Sequence, residues 1–356
     1  MKIPRLPLLP ALIGLALAAL PGLAVANLPA RIDFGSCLQQ DMPQPIWEAI
    51  IARKPDVFVL AGDNVYGDTD DMGLLRQSYE KLAAQSGFQR LRKLAPLLAT
   101  WDDHDYGIND GGADFPKRRE SQQVFLGFLK TPADSPRRKR EGIYDAAVYE
   151  GNGRKVQVIL LDTRFFRSPL LSGEFQAADG KKLRKNLPNT TPGATILGEP
   201  QWKWLEEQLR EPADLRILVS SIQVLPEDHR FEKWANFPQE RARLLKLIAD
   251  TRAAGVILVS GDRHMAEISR VLPENGSAAT YLLHEITSSG MTHAGGGSAG
   301  EPNRHRISET NFRELNFGSI EIKWNETDPL VRLLVLDHLG REVQTHEVRL
   351  STLQPR

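Results

Sequence analysis

Three short segments of the sequence place carboxylates and imidazoles directly after runs of apolar residues. Residues 62–68 are Gly-Asp-Asn-Val-Tyr-Gly-Asp, residues 102–105 are Asp-Asp-His-Asp, and residues 261–264 are Gly-Asp-Arg-His. Carboxylate, amide and imidazole groups are ligands of hard divalent and trivalent cations. Two such cations, about 3.5–4 Å apart, polarise a phosphoryl group and deprotonate a water molecule. One aspartate alone is more often a helix cap or a turn residue, but three such segments favour a metal site.

The apolar runs before these acids are expected to be strands that bring the acids together. Four runs of β type end at an acid, over residues 56–63, 97–102, 156–162 and 256–262. Continuous apolar runs of this length predict strands buried on both faces. Helical patterns alternate with them over residues 44–53, 72–94, 200–210 and 239–254. The alternation predicts α/β layering with ligands at the carboxyl ends of strands, so we expect the four acidic strand ends to share one edge.

The rest of the chain predicts further β structure and two long loops. Residues 316–324 and 329–336 alternate like a β-hairpin, and residues 344–350 predict one more strand. We expect these strands to be antiparallel and to close the same core without forming a separate domain. Residues 168–199 and 288–305 have no apolar pattern of their own and are predicted to be loops. Long loops in compact domains often act as lids.

Composition places the chain among folded globular proteins. It has 356 residues, of which 41% are apolar and 25% charged, and its 45 Lys and Arg balance 45 Asp and Glu. This composition excludes a disordered chain and a disulfide-stapled mini-protein. Zero net charge also argues against a dedicated nucleic-acid binder, which is usually basic. The only cysteine is Cys37, so its thiol is either a small buried core group or a functional one.

Residues 1–26 have the pattern of a secretory signal peptide. A basic start is followed by an apolar stretch and by Ala-Val-Ala, which predicts cleavage after Ala26. The alternative is an uncleaved membrane anchor, against which Pro10 and Pro21 within the apolar stretch count. No later segment has the roughly 18 uninterrupted apolar residues of a membrane-spanning helix. We therefore expect a periplasmic or secreted protein with one domain over residues 27–356 and no integral membrane segment in the mature chain.

The motifs together resemble those of the PhoD-like branch (alkaline phosphatase D) of the binuclear metallophosphoesterases. Matching segments follow the family's order: Phe-Gly-Ser-Cys at 34–37, Gly-Asp-Asn-Val-Tyr at 62–66, Trp-Asp-Asp-His-Asp at 101–105, Asp-Thr-Arg at 162–164, Gln-x-x-Trp-Leu at 201–205 and Ser-Gly-Asp-Arg-His at 260–264. The resemblance implies a four-layer α/β/β/α sandwich. It also implies hydrolysis of phosphate mono- or diesters by attack of a metal-activated water.

The resemblance further implies a binuclear or multinuclear metal centre. Its ligands would be Cys37, Asp63, Tyr66, Asp103, Asp262 and His264. Cys37, Asp63 and Tyr66 would hold Fe³⁺, which suits thiolate and phenolate ligands better than Mg²⁺ does. Asp63 would bridge to a second metal, with Ca²⁺ expected there and other divalent metals as alternatives. His104 matches the family's histidine that contacts the phosphate and can protonate the leaving oxygen.

Two further residues are predicted on the substrate side. Arg164 follows a strand-end acid and could bind a phosphate oxygen as a bidentate donor, the alternative being a structural ion pair with Asp162 or a neighbour. Asn64 stands where PhoD-like proteins often have tyrosine, and it is predicted to contact the substrate and alter ester preference. Residues 288–293 line the pocket or form a polar turn, and the sequence favours neither.

Three functions compete at this stage. The first is a metal-dependent phosphoesterase, with a phosphate ester as its partner and no nucleic-acid-binding role. The second is a cysteine hydrolase that uses Cys37 with His104 or His264, which needs an activated thiolate and leaves the strand-end acids unexplained. The third is a non-catalytic, metal-stabilised binding module on the same fold. The combined motifs favour the phosphoesterase.

Overall fold

The computed structural model describes residues 28–177, 180–271 and 281–355. The signal peptide predicted over residues 1–26 therefore lies outside the described residues. Within them the chain forms two six-stranded sheets and a separate two-stranded one. None of the helices in these ranges is both long enough and apolar enough to cross a membrane.

The described residues contain fourteen strands and seven α-helices. The strands are β1 (Arg31–Gly35), β2 (Val57–Ala61), β3 (Leu97–Thr100), β4 (Asp145–Gly151), β5 (Arg154–Leu160), β6 (Leu171–Gln176), β7 (Lys182–Leu187), β8 (Leu215–Val219), β9 (Val256–Ser260), β10 (Ala266–Val271), β11 (Leu283–Ser288), β12 (Asn316–Lys323), β13 (Leu330–Asp337) and β14 (Glu342–Arg349). The helices are α1 (Ile46–Arg53), α2 (Met72–Ala84), α3 (Ser86–Leu94), α4 (Asp103–Tyr106), α5 (Arg118–Phe128), α6 (Gly198–Arg210) and α7 (Pro238–Asp250).

Each large sheet combines parallel strands with antiparallel ones. The first sheet has the order β14-β13-β12-β1-β2-β3, in which β1, β2 and β3 are parallel and β12–β14 form an antiparallel meander. The second has the order β10-β11-β9-β8-β5-β4, in which β11, β9, β8 and β5 are parallel and the two edge strands are antiparallel. The C-terminal meander thus extends the first sheet.

Two hydrophobic cores hold four layers together. Successive residues of a strand point to opposite faces of its sheet. Val57 and Val59 of β2 accordingly belong to the core shared with the second sheet, whereas Phe58 and Leu60 belong to the core formed with α1, α2, α3 and α5. Helices α6 and α7 cover the second sheet, with Trp202 of α6 in the shared core. The result is the α/β/β/α sandwich implied by the sequence.

The predicted strands are confirmed, and the sequence interpretation fails in two places. The helical pattern over 72–94 forms two helices, because Gln85 has an extended backbone (φ −61°, ψ 126°) that ends α2 before α3 begins. The prediction of a loop over 168–199 was wrong in part, since β6 and β7 form a two-stranded hairpin there. The side chains of this hairpin are mostly exposed on both faces, so it lacks the apolar alternation that predicts a strand.

Two glycines let the acidic strand ends of the two sheets approach each other. Gly62 follows β2 with φ +102°, and a Cβ there would lie 2.7 Å from the Cβ of Asp102. Gly261 follows β9, and a Cβ there would lie 2.3 Å from Oγ of Ser36. Only glycine fits such close contacts. The Gly-Asp pairs of the sequence motifs therefore place each aspartate where the strand ends converge.

Candidate metal centre

Four aspartates from the strand ends meet at one edge of the sandwich. Asp63, Asp102, Asp103 and Asp262 each offer a carboxylate oxygen, and these oxygens all lie within 4.8 Å of one another. One buried oxygen on each of Asp63, Asp102 and Asp103 has no hydrogen-bond partner within the described part of the chain. Buried charges without partners are strongly destabilising. The donor set therefore fits a multivalent cation.

A thiol and a phenol lie beside this acidic cluster. The Sγ atom of Cys37 lies 3.4 Å from Oδ2 of Asp63, and the two form a second potential ligand group with His264. The hydroxyl of Tyr66 lies 3.0 Å from Nε2 of His264. A third group joins Asp63 and Asp103 with His104. Asp63 belongs to all three groups, which is the position that a bridging ligand requires.

The electrostatics of the cluster also fit a cation. Burial, followed by repulsion from neighbouring carboxylates, raises the pKa of Asp63 well above its usual range and that of Asp262 to about 7. Burial and the nearby Asp63 likewise raise the pKa of the Cys37 thiol. Asp103 differs: burial opposes its ionisation, but the charges of Arg164 and His104 outweigh burial and lower its pKa to about 2. A bound metal ion favours the deprotonated form of every ligand.

Four of the predicted ligands have a strained backbone conformation. Cys37, Asp63, Asp262 and His264 have φ angles of 59°, 50°, 68° and 52°. These angles lie in the left-handed region, which residues other than glycine adopt uncommonly. Such conformations persist where the surrounding structure enforces them, and they cluster at functional sites. The strain therefore supports a functional role for this strand edge, independently of the side-chain chemistry.

His104 is held by a carboxylate beside the cluster. Its Nδ1 lies 2.8 Å from both oxygens of Asp68, and its ring stacks on Tyr66 with 4.2 Å between centroids. Burial would lower the pKa of His104, but the hydrogen bond with Asp68 and the charge of Asp103 raise it to about 9. The contact with Asp68 therefore favours the imidazolium form of His104 and fixes the orientation of its ring.

A cavity of about 320 Å³ opens above the acidic cluster. Asp103, His104 and Asp262 are among the residues on its acidic side. Arg184 and Arg230 are among the basic residues that line it further out. The cavity thus gives a small ligand access to the candidate metal centre.

Arg164 does not line this cavity. Its side chain is fully buried, Nε donates a 2.5 Å hydrogen bond to Asp102, and Nη1 donates a 2.8 Å hydrogen bond to Glu232. Both carboxylates compensate its charge, so the structure favours the ion-pair alternative over the predicted contact with phosphate. The partners are Asp102 and Glu232 rather than Asp162, whose carboxylate accepts hydrogen bonds from the backbone of the following turn.

Asn64 also lies away from the cavity. The side chain is fully buried, and Nδ2 donates hydrogen bonds of 2.7 Å to the Thr100 carbonyl and 2.6 Å to Asp105. Asn64 therefore links the end of β2 to the end of β3. Because its side chain is fully buried, Asn64 does not fit the predicted contact with the substrate. Asp105, the acid after His104, is fixed further by a 2.7 Å hydrogen bond from the Asp102 backbone.

Sequence reasoning did not assign two residues that the structure places at the site. Asp68 follows Asp63 in the same loop, but nothing in its spacing distinguished it as the partner of His104. His293 comes from the segment that the sequence left undecided; its ring lies 4.7 Å from that of Tyr66 and 5.4 Å from that of His264. Long-range packing of the loop after β11 against Cys37 brings His293 there, and local sequence carries no signal for it.

Comparisons with known proteins point to one family. Residues 34–328 match the model of a family described as PhoD-like phosphatase. The chain is 22% identical over 272 residues to alkaline phosphatase D of Bacillus subtilis (strain 168), an alignment that covers 68% of the chain and 45% of that relative. The solved structure of PhoD matches with a TM-score of 0.64 at 18% identity, over 90% of this chain and 73% of that one. GAP50, the anchor in the inner membrane complex of Plasmodium, matches with a TM-score of 0.52 at 14% identity, over 92% and 89%.

Proposed function

Because the chain belongs to the PhoD-like phosphatase family, we propose that it hydrolyses phosphate esters with a metal centre at the shared strand edge. One observation carries this proposal: Asp63, Asp102, Asp103 and Asp262 place carboxylate oxygens within 4.8 Å of one another. Arg164 compensates the charge of Asp102. Within the described residues Asp63 and Asp262 have no such partner, and like charges at this separation repel strongly unless a cation binds between them. A metal site next to a cavity suits the hydrolysis of an anionic ester.

We propose that the metals are Fe³⁺ and Ca²⁺, with other divalent ions as substitutes. Cys37, Asp63 and Tyr66 would hold the iron, supported by the contact of the Cys37 thiol with Asp63 and by the proximity of His264 to both Asp63 and Tyr66. Thiolate and phenolate ligands favour Fe³⁺. Asp63, as the bridging ligand, would hold the second metal together with Asp103 and Asp262, because carboxylates suit Ca²⁺.

The residues of the chain would divide the chemistry as follows. A bound metal pair supplies a Lewis acid for a phosphoryl oxygen and an activated water. His104 lines the cavity and, as an imidazolium, carries a proton on Nε2 that it can donate to the leaving oxygen. Asp68 is a positioning residue, since it holds Nδ1 of His104 and keeps the ring charged. Stacking on Tyr66 fixes the plane of the ring.

The structure weighs against the other two functions. Cys37 is fully buried and its thiol has a raised pKa, so a cysteine hydrolase would lack an accessible thiolate nucleophile. GAP50, described as an anchor, shares the fold at 14% identity, so fold alone does not establish catalysis. The His104–Asp68 pair at the cavity favours the enzyme, because a binding module has no need of a proton donor.

Elemental analysis combined with two ester substrates tests the proposal. We expect about one iron per chain together with calcium, and hydrolysis of p-nitrophenyl phosphate or bis-p-nitrophenyl phosphate that a chelator abolishes. The faster ester would identify the enzyme as a monoesterase or a diesterase. An Asp63→Asn variant should lose metal and turnover together. Metal-free protein that iron, calcium, manganese and zinc all fail to activate would contradict the proposed function.

We also propose that the protein is exported and cleaved after Ala26, on the pattern of residues 1–26. The mature chain would then begin at Asn27. N-terminal sequencing of the protein recovered from outside the cytoplasm tests this, and an uncleaved chain retained in the membrane would contradict it.

A further inference from the structure

The lining of the cavity includes basic side chains that the proposed metal chemistry does not use. Arg184 of β7 lines the cavity together with Arg230, which lies in the segment after β8. We call these two residues the basic wall. Asp103 and Asp262 of the candidate metal centre line the same cavity. The cavity therefore combines acidic residues of the candidate metal centre with exposed or half-buried basic ones.

The charges of the basic wall are not compensated by carboxylates within the described residues. Arg184 donates from Nη2 to Oγ of Ser172 at 2.7 Å, and Arg230 donates from Nη1 to the carbonyl of Arg184 at 3.0 Å. Lys185, the next residue along β7, points to the opposite face of the hairpin, with Nζ 5.8 Å from the ring centre of Phe175. The partners of Arg184 and Arg230 are neutral. The basic wall can therefore attract an anion at a modest desolvation cost.

Contacts between the hairpin and the segment after β8 fix the basic wall in place. The backbone N–H of Asn186 donates to the carbonyl of Arg230 at 2.8 Å, so β7 is tied to that segment on the side of the cavity. The guanidinium of Arg230 lies 4.1 Å from the ring centre of Phe231, and that of Arg263 lies 4.0 Å from it. Such cation–π contacts restrict the arginine rotamers. The cations are thus positioned before a ligand arrives.

Arg263 provides an internal comparison. It lines the same cavity, but its guanidinium is paired with Glu301 at 2.6 Å. The positive charge of Arg263 is therefore compensated by Glu301, and this ion pair holds the loop after β11 in place. Among the arginines that line the cavity, only those of the basic wall have no carboxylate partner within the described residues.

We propose that the basic wall is a second anion subsite, so that substrates are phosphate esters carrying at least one further phosphate group. This inference rests on the proposed function, in which the scissile phosphate binds at the metal centre. An ester with a single charge leaves the basic wall solvated, whereas a second phosphate accepts charge-assisted hydrogen bonds from two guanidinium groups. The β6–β7 hairpin then determines specificity, as an addition to the four-layer sandwich.

Two chromogenic esters that differ by one remote phosphate test the subsite. Thymidine 5′-(p-nitrophenyl phosphate) and its 3′-phosphorylated form share the scissile bond and the leaving group. We expect the wild-type protein to hydrolyse the 3′-phosphorylated ester with a kcat/KM about tenfold higher, mainly through a lower KM. The double variant Arg184→Gln/Arg230→Gln should reduce this preference to about twofold or less, with unchanged hydrolysis of the unphosphorylated ester.

Lys182→Gln is the matched control, because it removes the same charge from the same strand. Lys182 does not line the cavity, and it lies 4.0 Å from Glu174. This variant should keep the full preference. Equal hydrolysis of both esters by the wild type, or an equal loss of preference in Lys182→Gln, would overturn the subsite while leaving the proposed phosphoesterase activity intact.

A binding measurement decides the subsite even if neither ester is hydrolysed. Failure to hydrolyse both would contradict the proposed function alone. Calorimetry with thymidine 3′,5′-bisphosphate and thymidine 5′-phosphate then measures the contribution of the second phosphate directly. About tenfold tighter binding of the bisphosphate, lost in Arg184→Gln/Arg230→Gln and kept in Lys182→Gln, supports the basic wall. Equal affinity for the two ligands would overturn it.

Discussion

Asp68 and His104 illustrate how a single contact can set the role of a residue. Asp68→Asn keeps an oxygen near Nδ1 of His104 but removes the charge that favours the imidazolium. Loss of the His104 proton slows hydrolysis most when the leaving group is a strong base that must be protonated as it departs. We expect kcat for an alkyl phosphate ester to fall about 100-fold, and kcat for a p-nitrophenyl ester to change little. Equal losses on both esters would show that Asp68 acts only on structure.

Cys37 offers a residue-scale test of metal identity. Removing the thiol in Cys37→Ala should lower the iron content severalfold, because a thiolate contributes to selectivity for Fe³⁺. Calcium should be retained, since carboxylates bind it. Asp103→Asn is the reciprocal variant, with loss of calcium before iron. Metal analysis of both proteins measures this, and full iron in Cys37→Ala would disprove the assignment of the thiol.

At the scale of elements, the glycine after β2 controls how closely the strand ends approach. In Gly62→Ala the new Cβ would lie 2.7 Å from the Cβ of Asp102 and 2.9 Å from that of Ser221, at a φ of +102°. We expect a loss of about 2–4 kcal/mol in the free energy of unfolding and a lower metal content. Gly153→Ala is the control, because Gly153 has a φ of +74° with no atom within 4 Å of a Cβ.

Urea unfolding and metal analysis of the two glycine variants separate crowding from backbone strain. Both substitutions place alanine at a positive φ, which costs about 1–2 kcal/mol. Only Gly62→Ala also displaces the acidic strand ends. Metal loss in Gly153→Ala as large as that in Gly62→Ala would show that close approach at Gly62 is not what the site requires.

The sequence predicts an element correctly when burial makes its residues apolar in a regular pattern. Strands β2 and β9 are buried at every position, so their apolar runs and the acids that follow them could be recognised in the sequence. The hairpin β6–β7 was missed because its side chains are mostly exposed, and the hydrogen bond from Asn186 to Arg230 supports it from outside. Arg164 was equally ambiguous, since only the tertiary fold buries it between Asp102 and Glu232.

At the scale of the whole molecule, the candidate site joins the two halves of the sandwich. Cys37, Asp63 and Asp103 follow strands of the first sheet, and Asp262 and His264 follow a strand of the second. The motifs indicated these residues, but only sheet-to-sheet packing places their ligand atoms within reach of one another. Metal binding and the packing of the two sheets should therefore be coupled.

A second contact between the sheets lies at the opposite edge and makes the fold sensitive to acid. His284 of β11 is buried, and its ring stacks on that of His346 of β14 with 5.0 Å between centroids. Arg270 of β10 lies directly opposite His284 in the antiparallel register. Burial, followed by the charges of His346 and Arg270, lowers the pKa of His284 to about 4. The folded protein therefore takes up this proton with difficulty.

The sign of the pH dependence follows from that shift. His284 in the unfolded chain takes up a proton near pH 6.5, and in the folded chain only near pH 4. The free energy of unfolding should therefore fall as the pH decreases from about 6.5 to 4, by about 3 kcal/mol from this group. His284→Gln should flatten that part of the profile, measured by urea unfolding between pH 7.5 and 4.5. His338→Gln, in the turn between β13 and β14, should leave it unchanged. A profile equally steep in His284→Gln would mean that the acid sensitivity arises from another buried histidine, such as His229, whose pKa burial lowers well below its usual range.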